Sequence, residues 1–67
     1  MNEYKVEFSY NGAKGKRIHE EDTSLAFTAD EAVENVRNFY RDLPGLRIER
    51  VFVDRNNRWE VTTAWDI

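Results

Sequence analysis

The segment Thr28-Ala29-Asp30-Glu31 constrains the fold more than any other. A threonine followed three residues on by a glutamate is a capping box, with Thr28 as N-cap and Glu31 reaching back. Behind it Ala32, Val33, Val36, Phe39, Tyr40 and Leu43 recur at helical spacing, which predicts an apolar stripe. Asp30, Glu31 and Glu34 sit near the positive end of the helix dipole and Arg37 and Arg41 near the negative end, so charge favours the same helix. Pro44-Gly45 stops it, because the residue before a proline is pushed towards extended geometry. One amphipathic helix in mid-chain needs a surface to cover its stripe, and the flanks must supply it.

Both flanks read as strand. Tyr4, Val6, Phe8 and Tyr10 alternate with Lys5, Glu7 and Ser9, the period of a half-buried strand. Asn11-Gly12-Ala13-Lys14-Gly15 supplies residues that tolerate positive φ, hence a hairpin. A two-residue turn would pair Phe8 with Gly15 and turn Ile18 to the wrong face, whereas an odd loop pairs Phe8 with Ile18. Leu25 and Phe27 then alternate with the opposite parity to Ile18. That parity change predicts a bulge or bend between a short strand around 16–20 and a second stretch around 24–28.

Leu46–Val53 and Arg58–Trp65 read as a second hairpin around Asn56-Asn57, two residues that tolerate left-handed geometry. An even loop groups Leu46, Ile48 and Phe52 with Trp59, Val61 and Trp65, and an odd loop groups Val51 and Val53 with them. If the tryptophans are core, the even loop buries Arg50 and Asp54 beside them, which is expensive unless they pair. The odd loop is therefore favoured, with Ile48 rejoining the core through a bulge near Arg50. The expectation is a single small α+β domain over residues 1–67, in the order β-β-α-β-β, with one helix packed on a four-stranded, mostly antiparallel sheet.

Size decides how the aromatic residues are read. A chain of 67 residues without cysteine buries only ~60% of its unfolded surface and has no disulfide or thiolate metal site to help. Tyr4, Phe8, Tyr10, Phe27, Phe39, Tyr40, Phe52, Trp59 and Trp65 are accordingly expected in the core, and a homodimer would relieve the shortage of buried surface. No apolar run approaches the ~20 residues of a membrane span, and the polar start is no signal peptide, so a cytoplasmic location without membrane attachment is expected.

The chemistry-bearing residues argue against an enzyme. His19 neighbours Glu20, Glu21 and Asp22, but successive strand residues point to alternate faces and one histidine makes no usual zinc set. Asp54-Arg55-Asn56-Asn57 lacks the spacing and terminal glutamate of a calcium loop. Ser9 and Ser24 lack the context of a nucleophile, and Gly12 and Gly15 open no helix that could cradle a phosphate. No catalytic residue, metal or cofactor is expected. A nucleic-acid-binding role for Arg47, Arg50, Arg55 and Arg58 with the nearby aromatics is an alternative. Glu49, Asp54, Glu60 and Asp66 are interleaved with those arginines, a pattern closer to cross-strand ion pairs than to a phosphate track.

Charge is unevenly spread. Residues 1–34 carry eight acids against four bases, and residues 35–67 six arginines against five acids. Glu20, Glu21, Asp22, Asp30, Glu31 and Glu34 lie in a stretch with no positive residue. Gathered at one end of the domain, they would attract a basic surface and speed its association. With Phe52 as an aromatic anchor, they are the candidate partner-binding residues.

A cysteine-free, mildly acidic β-β-α-β-β chain resembles the small inhibitor proteins that bacteriophages encode against host defences, including anti-CRISPR proteins. The resemblance rests on length, element order, the Phe27-Thr28-Ala29-Asp30-Glu31-Ala32 junction and Arg58-Trp59. It implies a non-catalytic protein-binding module, a phage or mobile-element inhibitor that occludes a basic surface of a protein or nucleoprotein partner. The run Arg47-Ile48-Glu49-Arg50-Val51 is also similar to small ribosomal β-β-α-β proteins, which are strongly basic where this chain carries a net charge of −3.

Overall fold

The computed structural model describes residues 1–62; Trp65, read above as the end of the last strand, and Asp66, read as an acid interleaved with the arginines, lie outside the described residues. The chain runs β1 (Asn2–Asn11), β2 (Arg17–Ala26), α1 (Ala29–Phe39), β3 (Arg47–Arg55) and β4 (Arg58–Val61). All neighbours are antiparallel and the spatial order is β2-β1-β3-β4, which leaves β2 and β4 at the edges. The expected architecture is the observed one.

Tyr4, Val6 and Phe8 of β1 and Ile48, Val51 and Val53 of β3 face Ala32, Val33 and Val36 of α1, with Ala26 closing the end. The helix starts as its capping box requires: Thr28 Oγ1 accepts from Glu31 N–H at 3.2 Å, and Glu31 Oε1 accepts from Phe27 N–H at 3.4 Å. It ends sooner than its stripe suggests, with Tyr40 as C-cap. Phe39 is 77% exposed because the Tyr40 ring takes the place over Phe8, at 4.7 Å between centroids, and Phe39 packs edge-on against Tyr40 instead. Gly45 adopts φ +67°, and a side chain there would collide with Asn11, whose N–H donates to Pro44 O.

Three expectations about register need correction. The first hairpin has an odd loop, Gly12–Lys16, but Phe8 lies opposite Glu20 and Ile18 opposite Tyr10, two places along from the expected pairing. No bulge interrupts β2, whose ten residues pair with β1 in one register. Leu25 therefore stands on the face away from the helix, and Leu25 and Phe27 are exposed. Between Ile18 and Ala26 the helix-side positions of this edge strand go to Glu20, Asp22 and Ser24. Asp22 and Ser24 there bond to Tyr40 and Asn35.

The second hairpin turns through Asn56 and Asn57 at φ 54° and 64°, a two-residue loop and not the odd one. Trp59 and Val61 share a face with Phe52 and Asp54, but it is the open face of the sheet. The premise that failed was tryptophan as core: Trp59 is 40% exposed. The bulge near Arg50 is present, since the β1–β3 register shifts between Glu7 and Phe8 and leaves Glu49 as the extra residue, returning Ile48 to the core.

Candidate interaction surface

The six carboxylates form no single knob. Glu20 and Asp22 lie on the helix side of β2, while Glu21 lies on the open side, opposite Glu7. Asp30, Glu31 and Glu34 belong to the start of α1, beyond the far end of β2. Glu20 and Ala26 are six strand residues apart, about 20 Å at ordinary strand rise, so the acids mark out a strip along one long side. The helix runs back beside that strand, tied to it by Asn35 Nδ2 donating to Ser24 Oγ at 3.0 Å and Tyr40 Oη donating to Asp22 Oδ2 at 2.7 Å.

None of the six forms an ion pair among the described residues. Arg50 donates to Glu7 at 2.8 Å, and Arg55 lies 3.7 Å from Glu60. Two of the four arginines weighed for nucleic acid are thus held by cross-strand carboxylates.

Asp22 is the most engaged of the acids. Its Oδ1 accepts from Thr23 N–H at 2.8 Å while its Oδ2 accepts from Tyr40. The bond to Asp22 pushes the Tyr40 phenol up from 10.0 to about 12, with desolvation and the charges of Asp22 and Glu20 acting in the same direction. Ionising the phenol would set an anion against a carboxylate.

On the open face, Ser9 is fully buried although it lies on the side opposite the core. Arg17 Nε donates to Ser9 Oγ at 2.9 Å, and Ser9 Oγ donates to Glu49 Oε2 at 2.9 Å. Arg17 also reaches Asn11 Oδ1 and the carbonyls of Ser9 and Gly45. His19 Nδ1 lies 3.0 Å from Glu49 Oε1. These bonds, those from His19 and Ser9 first, hold the Glu49 carboxyl below its ordinary 4.5. Serine, glutamate and histidine are here in the wrong order for nucleophilic catalysis, since Ser9 bonds to the carboxylate and not to the imidazole that would take its proton. The sequence reading missed this cluster: the bulge at Glu49 puts both Glu49 and Arg50 on the open face, and no alternation pattern reports that.

Phe52, the candidate anchor, is half-buried on the open face. Lys5 Nζ stands 4.7 Å from its ring centroid and 5.3 Å from that of Trp59, a cation over two rings. Phe52 lies on the central strand β3, apart from the β2 edge that carries the acids. Compared with models of known families, with curated proteins and with solved structures, the chain has no match in any of the three.

Proposed function

We infer that this protein is a non-catalytic protein-binding module whose acidic strip docks on a basic surface of its partner. The observation that carries the reading is the segregation of charge. Six carboxylates along β2 and the start of α1 have no cationic partner among the described residues, while Arg50 and Arg55 are spent on other carboxylates. Unpaired surface charge of one sign steers a partner of the other sign and suppresses like-charged competitors. Occlusion of a nucleic-acid-binding surface, the role of a phage or mobile-element inhibitor, requires only such a strip and no reacting group. Phe52 and Trp59 under Lys5 form a separate contact area on the open face.

The test uses wild type and Glu20→Lys/Glu34→Lys as paired immobilised baits in extracts of the source cell. Neither glutamate has a hydrogen bond or ion pair among the described residues, so the fold should survive. The expected result is a basic protein retained by wild type and lost from the variant. Equal retention by both baits, or retention of nucleic acid free of protein, would overturn the reading.

A further inference from the structure

A ten-residue edge strand with no bulge and no proline presents unpaired backbone groups to any passing strand, and proteins ordinarily block such an edge. Which groups are free follows from the ladder. Gly12 N–H donates to Lys16 O at the hairpin end, and an antiparallel ladder alternates residue by residue. In the register of β1 with β2, the even-numbered residues of β2 bond inward to β1, and Arg17, His19, Glu21, Thr23 and Leu25 turn their N–H and C=O outward. The bond from Thr23 N–H to Asp22 Oδ1 agrees, and it occupies one of those outward donors. The uninterrupted free stretch is Arg17–Glu21, centred on His19.

We propose that this stretch pairs with the same stretch of a second copy, forming a two-fold antiparallel β2–β2 dimer centred on His19. Charge argues independently against the carboxylate-centred registers, while centring on Ile18, which sets Lys16 opposite Glu20, uses only the outward groups of Arg17 and His19 within the free stretch. A two-fold axis perpendicular to the sheet pairs residues of like parity, so each register has one residue opposite itself. Centring on His19 sets Arg17 opposite Glu21 and Lys16 opposite Asp22, each twice, with Ile18 opposite Glu20. Centring on Glu20, Glu21 or Asp22 sets a carboxylate against its own copy, which is destabilising. Centring on Thr23 requires the donor that Asp22 already holds.

In the single chain Ser9, Asn11 and Gly45 draw the Arg17 guanidinium inward over β1, so the pair forms by Glu21 of the second copy reaching across the seam to it. Phe39 lies one helical turn beyond Asn35, on the flank of α1 that meets β2. Both helices would lie on one side of a continuous eight-stranded sheet. Ile18 of each copy would then lie towards the flank carrying the other's exposed Phe39. The dimer leaves Asp30, Glu31 and Glu34 outside the paired backbone but takes up Glu21 and Asp22, so a basic partner and a second copy compete for the β2 end of the acidic strip.

Sedimentation equilibrium over a range of concentrations tests association, and cysteine cross-linking tests register. Wild type should show a monomer–dimer equilibrium. Glu21→Lys sets like charges opposite Arg17 twice and should raise the dissociation constant about ten- to a hundredfold. The chain has no cysteine, so His19→Cys introduces one thiol, facing its own copy at ~5.5 Å between Cα atoms, within disulfide reach. It should oxidise to a covalent dimer much faster than Glu21→Cys or Thr23→Cys. A wild-type monomer at every concentration, equal oxidation of the three cysteine variants, or unchanged association of Glu21→Lys would each overturn the proposal.

Discussion

Tyr40→Phe removes one oxygen and keeps the ring on Phe8 and Phe39. What it loses is the 2.7 Å bond to the Asp22 carboxylate, which joins the end of the helix to the edge strand. A phenol pushed from 10.0 to about 12 sets an upper bound of ~2.7 kcal/mol on that coupling. Tyr40 is partly exposed, and solvent screening reduces this to about 1–1.5 kcal/mol, the lower edge of the range for a hydrogen bond to a charged group. In a domain of this size that corresponds to a fall in Tm of roughly 4–12 °C. The pH dependence has a definite sign: the folded-state pKa is raised, so the contribution is complete below pH 10 and disappears as pH rises towards 12. Thermal unfolding followed by circular dichroism at neutral pH and through that alkaline window measures both effects. Tyr40→Phe should begin less stable and lose less on alkalinisation than wild type. Equal Tm at neutral pH, or the same alkaline loss in both proteins, would refute the coupling.

Three other outcomes follow from the same geometry. Thr28→Ala removes the acceptor for Glu31 N–H and should cost about 1 kcal/mol, read as a lower urea midpoint at constant m-value. Phe39→Ser should leave the monomer's unfolding free energy in urea within ~0.5 kcal/mol of wild type, since the ring is 77% exposed; a loss of core size would contradict its placement. The Glu49 pKa is depressed, so its contribution is present above pH 4.5 and lost as pH falls through the lower folded value; Glu49→Gln should flatten the acid limb of the stability profile.

Where local chemistry decides, the sequence was legible. The capping box, the helix, the Asn56-Asn57 turn position and the bulge that restores Ile48 all follow from residue types within a few positions of each other. Where facing decides, it was not. Leu25, Phe27, Phe39 and Trp59 were assigned inward because they are large and apolar, and all four are exposed. Conversely, Asp22 and Ser24 occupy core-side positions of β2 because Tyr40 and Asn35 reach over to bond them, a contact between residues up to eighteen apart. The acidic residues were found by counting charge, but counting does not report that an unbroken strand sends Glu21 to the face opposite Glu20 and Asp22. That is why an expected knob is a strip.

The acidic strip as a binding surface is tested most directly by titrating the labelled protein with poly-lysine and, separately, with a single-stranded oligonucleotide at low and high salt. Saturable binding of the polycation that weakens with salt and with Glu20→Lys/Glu34→Lys, with no oligonucleotide binding even at low salt, is the expected result. Oligonucleotide binding with a steep salt dependence, or polycation binding indifferent to the two substitutions, would contradict it.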